Sequence, residues 1–334
     1  MLTALILLAV GAGLLVAGSE AFAEHIVAAA RIARVSAFGL AALVAGAEPE
    51  EAWTASVASW RDRPDLAIGD ALGANFVIAT VTLGLLAIVA PIVVTATIRR
   101  YAVVAAGTGL VALLTVLGGT VGRAEGIGLI ALYLVLVGLL WRVERRPPSI
   151  GELTEAAEAA ETARAVPAQA TAQAAAEADG SDTTPAPTNR AWRPFAWVAA
   201  GLAAMVAGGI VVVAGAERLV DATDRSDSAI GLTVLALATS AEMLALVWSA
   251  RRRGVPEIAL AGTLGAIAYN ATVSLGVAAV VRPLAVGDET ATVAVAGIVV
   301  VVLAGLAAHR RPVRRWSGGV LVATYAVVVA WLLR

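Results

Sequence analysis

Continuous apolar runs of about membrane-span length recur along this chain, at roughly 1–18, 36–60, 66–91, 101–119, 126–142, 195–216, 228–250, 257–281, 290–308 and 317–333. A helix needs about 20 mostly apolar residues to cross ~30 Å of hydrocarbon. No water is present there to satisfy stray backbone groups, so the spanning structure must satisfy them itself. These runs predict an all-α polytopic membrane protein with ten transmembrane helices. Of the 334 residues, 60% are hydrophobic and 15% charged, against about 25% charged in soluble domains. The runs are unbroken rather than alternating, which argues against a β-barrel. No Arg or Lys precedes Arg31, so the first run lacks the basic flank of a signal peptide and reads as a span.

All 24 basic residues are Arg. With ten spans, the odd-numbered loops hold 17 of them and the even loops with the C-terminus hold 7. Positive charge resists translocation, so the Arg-rich side is cytoplasmic and both termini are extracellular. Residues 147–194 interrupt the pattern. This stretch opens on Pro147-Pro148, is rich in Ala, Pro, Thr and acid, and has few large apolar residues. It cannot bury enough surface to fold alone and reads as a cytoplasmic low-complexity linker. The chain thus divides into 1–146, the linker 147–194, and 195–334. The partners expected of such a chain are small cations and the lipid bilayer, with no nucleic acid; the oligomeric state stays open, a monomer included.

The two halves resemble each other. An offset of 192 maps Gly39 on Gly231, Glu50 on Glu242, Pro64 on Pro256 and Gly73 on Gly265. Upstream, Gly18-Ser19-Glu20 echoes Gly215-Ala216-Glu217 at an offset of 197. Each half has five runs, an odd number, so the second half must enter the membrane from the opposite face. That is the inverted-repeat plan of secondary transporters, whose site lies near the midplane where broken helices meet.

Two runs are interrupted at their middles, one by Glu48-Pro49-Glu50-Glu51 and the other by Thr239-Ser240-Ala241-Glu242. A carboxylate at mid-bilayer costs ~2.5–3.5 kcal/mol on insertion scales, so it faces the bundle interior and usually serves function. Carboxylates, hydroxyls and the carbonyls freed at Pro49 make an all-oxygen donor set, suited to Ca²⁺ or Na⁺. The chain has no Cys and only His25 and His309, so thiolate or histidine-cage metal sites are excluded. Glu50 and Glu242 are the leading candidates, with Thr239, Ser240, Asn270 and Asn75 as neutral ligands. Glu48, Glu51 and Asp70 are either further ligands or charges lining a vestibule. Gly69, Gly73, Gly262 and Gly265 read as points of close helix approach.

These residues resemble the cation/Ca²⁺ exchanger superfamily, in the prokaryotic form of the sodium/calcium exchanger membrane region. That family carries a G-T-S-x-P-E stretch in a broken helix, then G-N-x-x-G-S-N-x-x-N in the next. Here the first half reads Ala45-Gly46-Ala47-Glu48-Pro49-Glu50, followed by Gly69-Asp70-Ala71-Leu72-Gly73-Ala74-Asn75-Phe76-Val77-Ile78. The second reads Ala238-Thr239-Ser240-Ala241-Glu242-Met243, followed by Ala261-Gly262-Thr263-Leu264-Gly265-Ala266-Ile267-Ala268-Tyr269-Asn270. The matches are partial. The second half lacks the Pro, and on a Thr-Ser anchor the family's Glu position falls on Met243, one residue beyond Glu242. On that same spacing the first-half Glu would be Glu51.

The resemblance implies an antiporter that exchanges Ca²⁺ or a related cation for Na⁺ by alternating access. It implies no cofactor, since Ca²⁺ and Na⁺ are the transported substrates. The extra acids and the lost neutral ligands leave a proton-coupled Na⁺/H⁺ or Ca²⁺/H⁺ exchanger as the alternative. A membrane hydrolase is not expected, because no H-E-x-x-H or other histidine pair is present.

Overall fold

The computed structural model describes residues 1–32, 48–89, 95–144, 192–253, 256–292, 294–295, 297–299 and 315–334. Helix α1 spans Leu2–Ile32, α2 Pro49–Trp60, α3 Pro64–Val89, α4 Ala96–Leu117 and α5 Arg123–Glu144. In the second half, α6 spans Arg193–Thr223, α7 Asp227–Thr239, α8 Ala241–Arg253 and α9 residues 256–281, and α10 spans Arg315–Leu332. Among the described residues, seven helices are long and apolar enough to cross a membrane, and Asp227–Thr239 is a shorter apolar one. Most of the ninth run, the first half of the second run, and nearly all of the linker lie outside the described residues. The all-α expectation needs one small correction. Strands β1 (Thr120–Val121) and β2 (Leu284–Ala285) pair antiparallel, with Thr120 opposite Ala285.

The expected break in the second half is present; in the first half a helix starts at Pro49, and residues 33–47 before it lie outside the described residues. Helix α2 starts with Pro49 in its first turn after Glu48, a position where proline forfeits no intrahelical hydrogen bond. Helix α7 stops at Thr239, and α8 starts at Ala241 after the single residue Ser240. The 192-residue spacing recurs in the element boundaries. Within α3, an α-segment starts at Pro64, a π-turn at Ile78 and a second α-segment at Leu83. Within α9 the same sequence of elements starts at Pro256, Asn270 and Leu275, each 192 residues later. Arg123 opens α5, as Arg315 opens α10.

A third π-turn, Gly231–Leu235, lies in α7. In a π-turn the N–H reaches one residue further back, so the i−4 carbonyl loses its usual donor. The central threonine replaces that donor each time. Thr80 Oγ1 donates to Phe76 O at 2.5 Å, Thr233 to Ala229 O at 2.6 Å, and Thr272 to Ala268 O at 2.6 Å. Nothing in the hydrophobic pattern announced these turns.

Helices α1 and α6 run antiparallel in close contact. A Cβ on Gly11 would lie 2.6 Å from Val212 N, one on Gly215 2.8 Å from Leu8 N, and one on Gly208 2.9 Å from Leu15 N. Small residues let two backbones approach this closely where lipid supplies no hydrophobic drive between helices. Helix α3 seats against α7 in the same way. A Cβ on Gly69 would be 3.1 Å from Gly231 Cα, and one on Gly73 2.6 Å from Leu232 Cα. The Gly73→Val variant must therefore push backbone from backbone. It is expected to cost at least ~1–3 kcal/mol, the overpacking range, read as a lower melting temperature in detergent beside an unchanged Gly13→Val control. Gly13 has nothing within 4 Å of the added atom.

One face of the bundle is cross-tied. Arg61 pairs with Glu217 at 2.7 Å, Arg63 with Asp227 at 3.0 Å, and Arg282 with Asp62 at 2.9 Å. Asp65 accepts from Gly287 N at 3.1 Å and from Thr290 Oγ1 at 2.5 Å. These ties join the α2–α3 turn to the α6–α7 turn and to the segment after α9, on the face where β1 meets β2.

Candidate cation site

The start of α2 at Pro49 and the break at Ser240 bring the two halves together. Five carboxyl groups are buried there: Glu50 and Asp70 at 0% exposure, Glu48 and Glu51 at 1%, and Glu242 at 8%. Four come from the first half and one from the second. Pro49 fixes the start of α2, placing Glu50 and Glu51 in its first turn. Glu242 stands in the first turn of α8, second in its helix as Glu50 is in α2. The equivalent of Glu51 is Met243, buried at 2% in an apolar cluster with Ile78 and Leu264. The structural equivalence thus pairs Glu242 with Glu50 and leaves Glu51 without an acidic counterpart.

Four of the acids are held by a neutral group from the opposite half. Asn270 Nδ2 donates to Glu48 Oε2 at 3.0 Å, Ser240 Oγ to Glu51 Oε1 at 3.0 Å, and Thr239 Oγ1 to Asp70 Oδ1 at 3.1 Å. Ser19 Oγ, on α1, donates to Glu242 Oε2. Each of these carboxyls has one oxygen held and one buried oxygen with no hydrogen-bond partner: Glu48 Oε1, Glu51 Oε2, Asp70 Oδ2 and Glu242 Oε1. Asn75 Oδ1 and Thr54 Oγ1 are also buried without a partner. A buried acceptor without a donor costs ~1–3 kcal/mol, and more if charged. A proton or a cation offsets that cost.

The Arg61–Glu217, Arg63–Asp221, Arg63–Asp227 and Arg282–Asp62 ion pairs belong to the tied face. Among the described residues, no group of three or more His, Cys, Asp or Glu is arranged to hold a metal ion. The donors at the site are carboxyl groups with amide and hydroxyl neighbours.

All nine residues singled out from the sequence are buried: Glu48, Glu50, Glu51, Asp70, Asn75, Thr239, Ser240, Glu242 and Asn270. The hydrogen bonds join six of them across the halves, while Asn75 has no contact of this kind to the acids. Sequence reasoning missed Ser19, Ser274 and Thr54. Ser274 Oγ donates to Asn270 Oδ1 at 2.9 Å and orients the amide that holds Glu48. Thr54 lies four residues beyond Glu50, on the same helical face, a signal the sequence did carry. Ser19 carried a weaker one, its place in the Gly18-Ser19-Glu20 echo. Nearby, Tyr133 and Tyr269 of the same apolar cluster as Met243 meet edge to face at 5.4 Å between centroids.

The family model described as sodium/calcium exchanger protein matches residues 3–142 and 193–334. The putative antiporter CaxA of Alkalimonas amylolytica is 27% identical over 288 residues, covering 85% of this chain and 82% of that protein. The inner membrane protein YrbG of Escherichia coli K12 is 27% identical over 246 residues, 73% of this chain and 69% of its own. Among solved structures, the sodium-calcium exchanger NCX_Mj soaked with 10 mM Na⁺ and 10 mM Sr²⁺ superposes with a TM-score of 0.57. Its sequence identity is 23%, over 98% of this chain and 96% of that one, which speaks to the fold. With matches in both halves and this fold, the chain belongs to the sodium/calcium exchanger protein family of cation antiporters.

Proposed function

We propose that this protein exchanges Ca²⁺, or a related cation, for Na⁺ by alternating access. Ten helices form two inverted five-helix repeats, 1–146 and 195–334, joined by the cytoplasmic segment 147–194. The 192-residue recurrence of helix starts and π-turns supports the repeat, and five spans per repeat make it inverted. The tied face gathers Arg61, Arg63, Arg123 and Arg282, all from the Arg-poor loops, which supports placing that face and both termini outside the cell.

The observation that carries the reading is the interlocking of buried carboxyls with donors from the opposite half. In this reading Glu50 and Glu242 neutralise the ion, and Thr239, Ser240, Asn270 and Asn75 complete an oxygen shell of the kind hard cations take. Glu48, Glu51 and Asp70 line the same space. Because each half supplies the other's hydrogen bonds, rocking one repeat against the other opens the shell and frees the ion.

A second reading is favoured by one specific observation. Five carboxyl groups meet here, and one divalent cation offsets only two negative charges. Protons carried on the remaining acids would make this a Ca²⁺/H⁺ or Na⁺/H⁺ exchanger. Ca²⁺ uptake into Na⁺-loaded proteoliposomes, with the pH clamped equal on both sides, separates the two. Uptake that requires internal Na⁺ is the expected result. Flux only under an imposed pH gradient would replace Na⁺ with protons.

A further inference from the structure

Helix α1 sends one hydroxyl into the site. Ser19 is 1% exposed and donates to Glu242 Oε2, while Glu242 Oε1 stays without a partner. The repeat does not duplicate this contact. The echo of Ser19 in α6 is Ala216, buried and without a hydroxyl. Helix α6 meets the first half elsewhere: Trp53 Nε1 donates to Val206 O at 3.2 Å, and Glu217 pairs with Arg61.

We infer that Ser19 is a positioning residue for the cation site. Its hydroxyl fixes the Glu242 carboxylate with one oxygen held and the other open, and it fastens the α1–α6 pair to that one ligand. The inference rests on the reading of Glu242 as a cation ligand. A glutamate side chain loses considerable rotamer freedom when ordered. A ligand locked in advance by a neighbouring hydrogen bond makes that loss before the ion arrives, so the ion binds more tightly. Among the described residues Glu242 is the one acid that the second half contributes, so its placement sets where that half presents a full negative charge to the ion.

The test uses the full-length chain in proteoliposomes, with KM and Vmax measured for Ca²⁺ and, in parallel, for Na⁺. The variants are Ser19→Ala, Ser19→Thr and Ser19→Cys, with Glu242→Gln alongside. Ser19→Ala is expected to raise KM about tenfold, the size set by one hydrogen bond to a charged group. Vmax should stay within twofold and the melting temperature unchanged. Ser19→Thr restores KM to within threefold. If the added methyl prevents its folding, Ser19→Cys, a near-isosteric weak donor, gives an intermediate KM. An unchanged KM in Ser19→Ala, with Glu242→Gln inactive, overturns the inference. So does a fall in Vmax and melting temperature at constant KM, which marks a packing role. Wild-type flux in Glu242→Gln overturns instead the assignment of Glu242 as a ligand.

Discussion

The double variant Glu50→Gln, Glu242→Gln is expected to lose cation exchange, with flux at least ~100-fold below that of the unaltered protein. Two unit charges 4 Å apart at an effective dielectric of 20 interact by about 4 kcal/mol. That is about a thousandfold in site occupancy for each carboxylate that meets the ion. Gln keeps the shape and can still accept a hydrogen bond from Ser19, so the helices should assemble normally. The measurement is Ca²⁺ uptake together with the melting temperature in detergent. Loss of flux with an unchanged or higher melting temperature fits a site whose buried charges serve transport. Near-normal flux would remove both residues from the ion's path and shift attention to Glu48, Glu51 and Asp70.

The second large effect concerns the amide that joins the halves. Asn270 donates to Glu48 Oε2 and accepts from Ser274. In Asn270→Leu, both oxygens of Glu48 are left buried without a partner. Leaving a buried acceptor without its donor costs ~1–3 kcal/mol, and more when the group is charged. The expected result is a marked fall in folded yield and melting temperature, with flux down more than ~30-fold. Adding Glu48→Leu should recover most of the stability, because removing both partners is close to neutral. Flux should not recover if Glu48 lines the ion's path. A double variant as unstable as the single would mean that Asn270 acts through Ser274 and the π-turn instead.

Much of this protein was legible in its sequence. The apolar runs placed the long helices of both halves, because in lipid a segment must satisfy its own backbone and length alone decides whether it spans. The helix start at Glu48-Pro49 and the break at Thr239-Ser240 were legible because acids and proline are costly at those depths. Every acid and amide chosen for the site proved to be buried.

Other features belong to the tertiary structure alone. The register of the second motif was ambiguous between Glu242 and Met243, since the local letters fit both; the start of α8 at Ala241 pairs Glu242 with Glu50. The π-turns left no mark in the hydrophobic pattern, because inserting one residue into a helix already apolar on all sides does not change that pattern. Which donor holds which acid was likewise beyond the sequence. Asn270 lies 222 residues from Glu48, and Ser19 lies 223 residues from Glu242. The sequence determined which groups must hide from lipid, through the cost of burying them. Only the antiparallel docking of the halves decided which of those groups hold one another, because hydrogen bonding depends on a few tenths of an ångström that composition and periodicity do not carry.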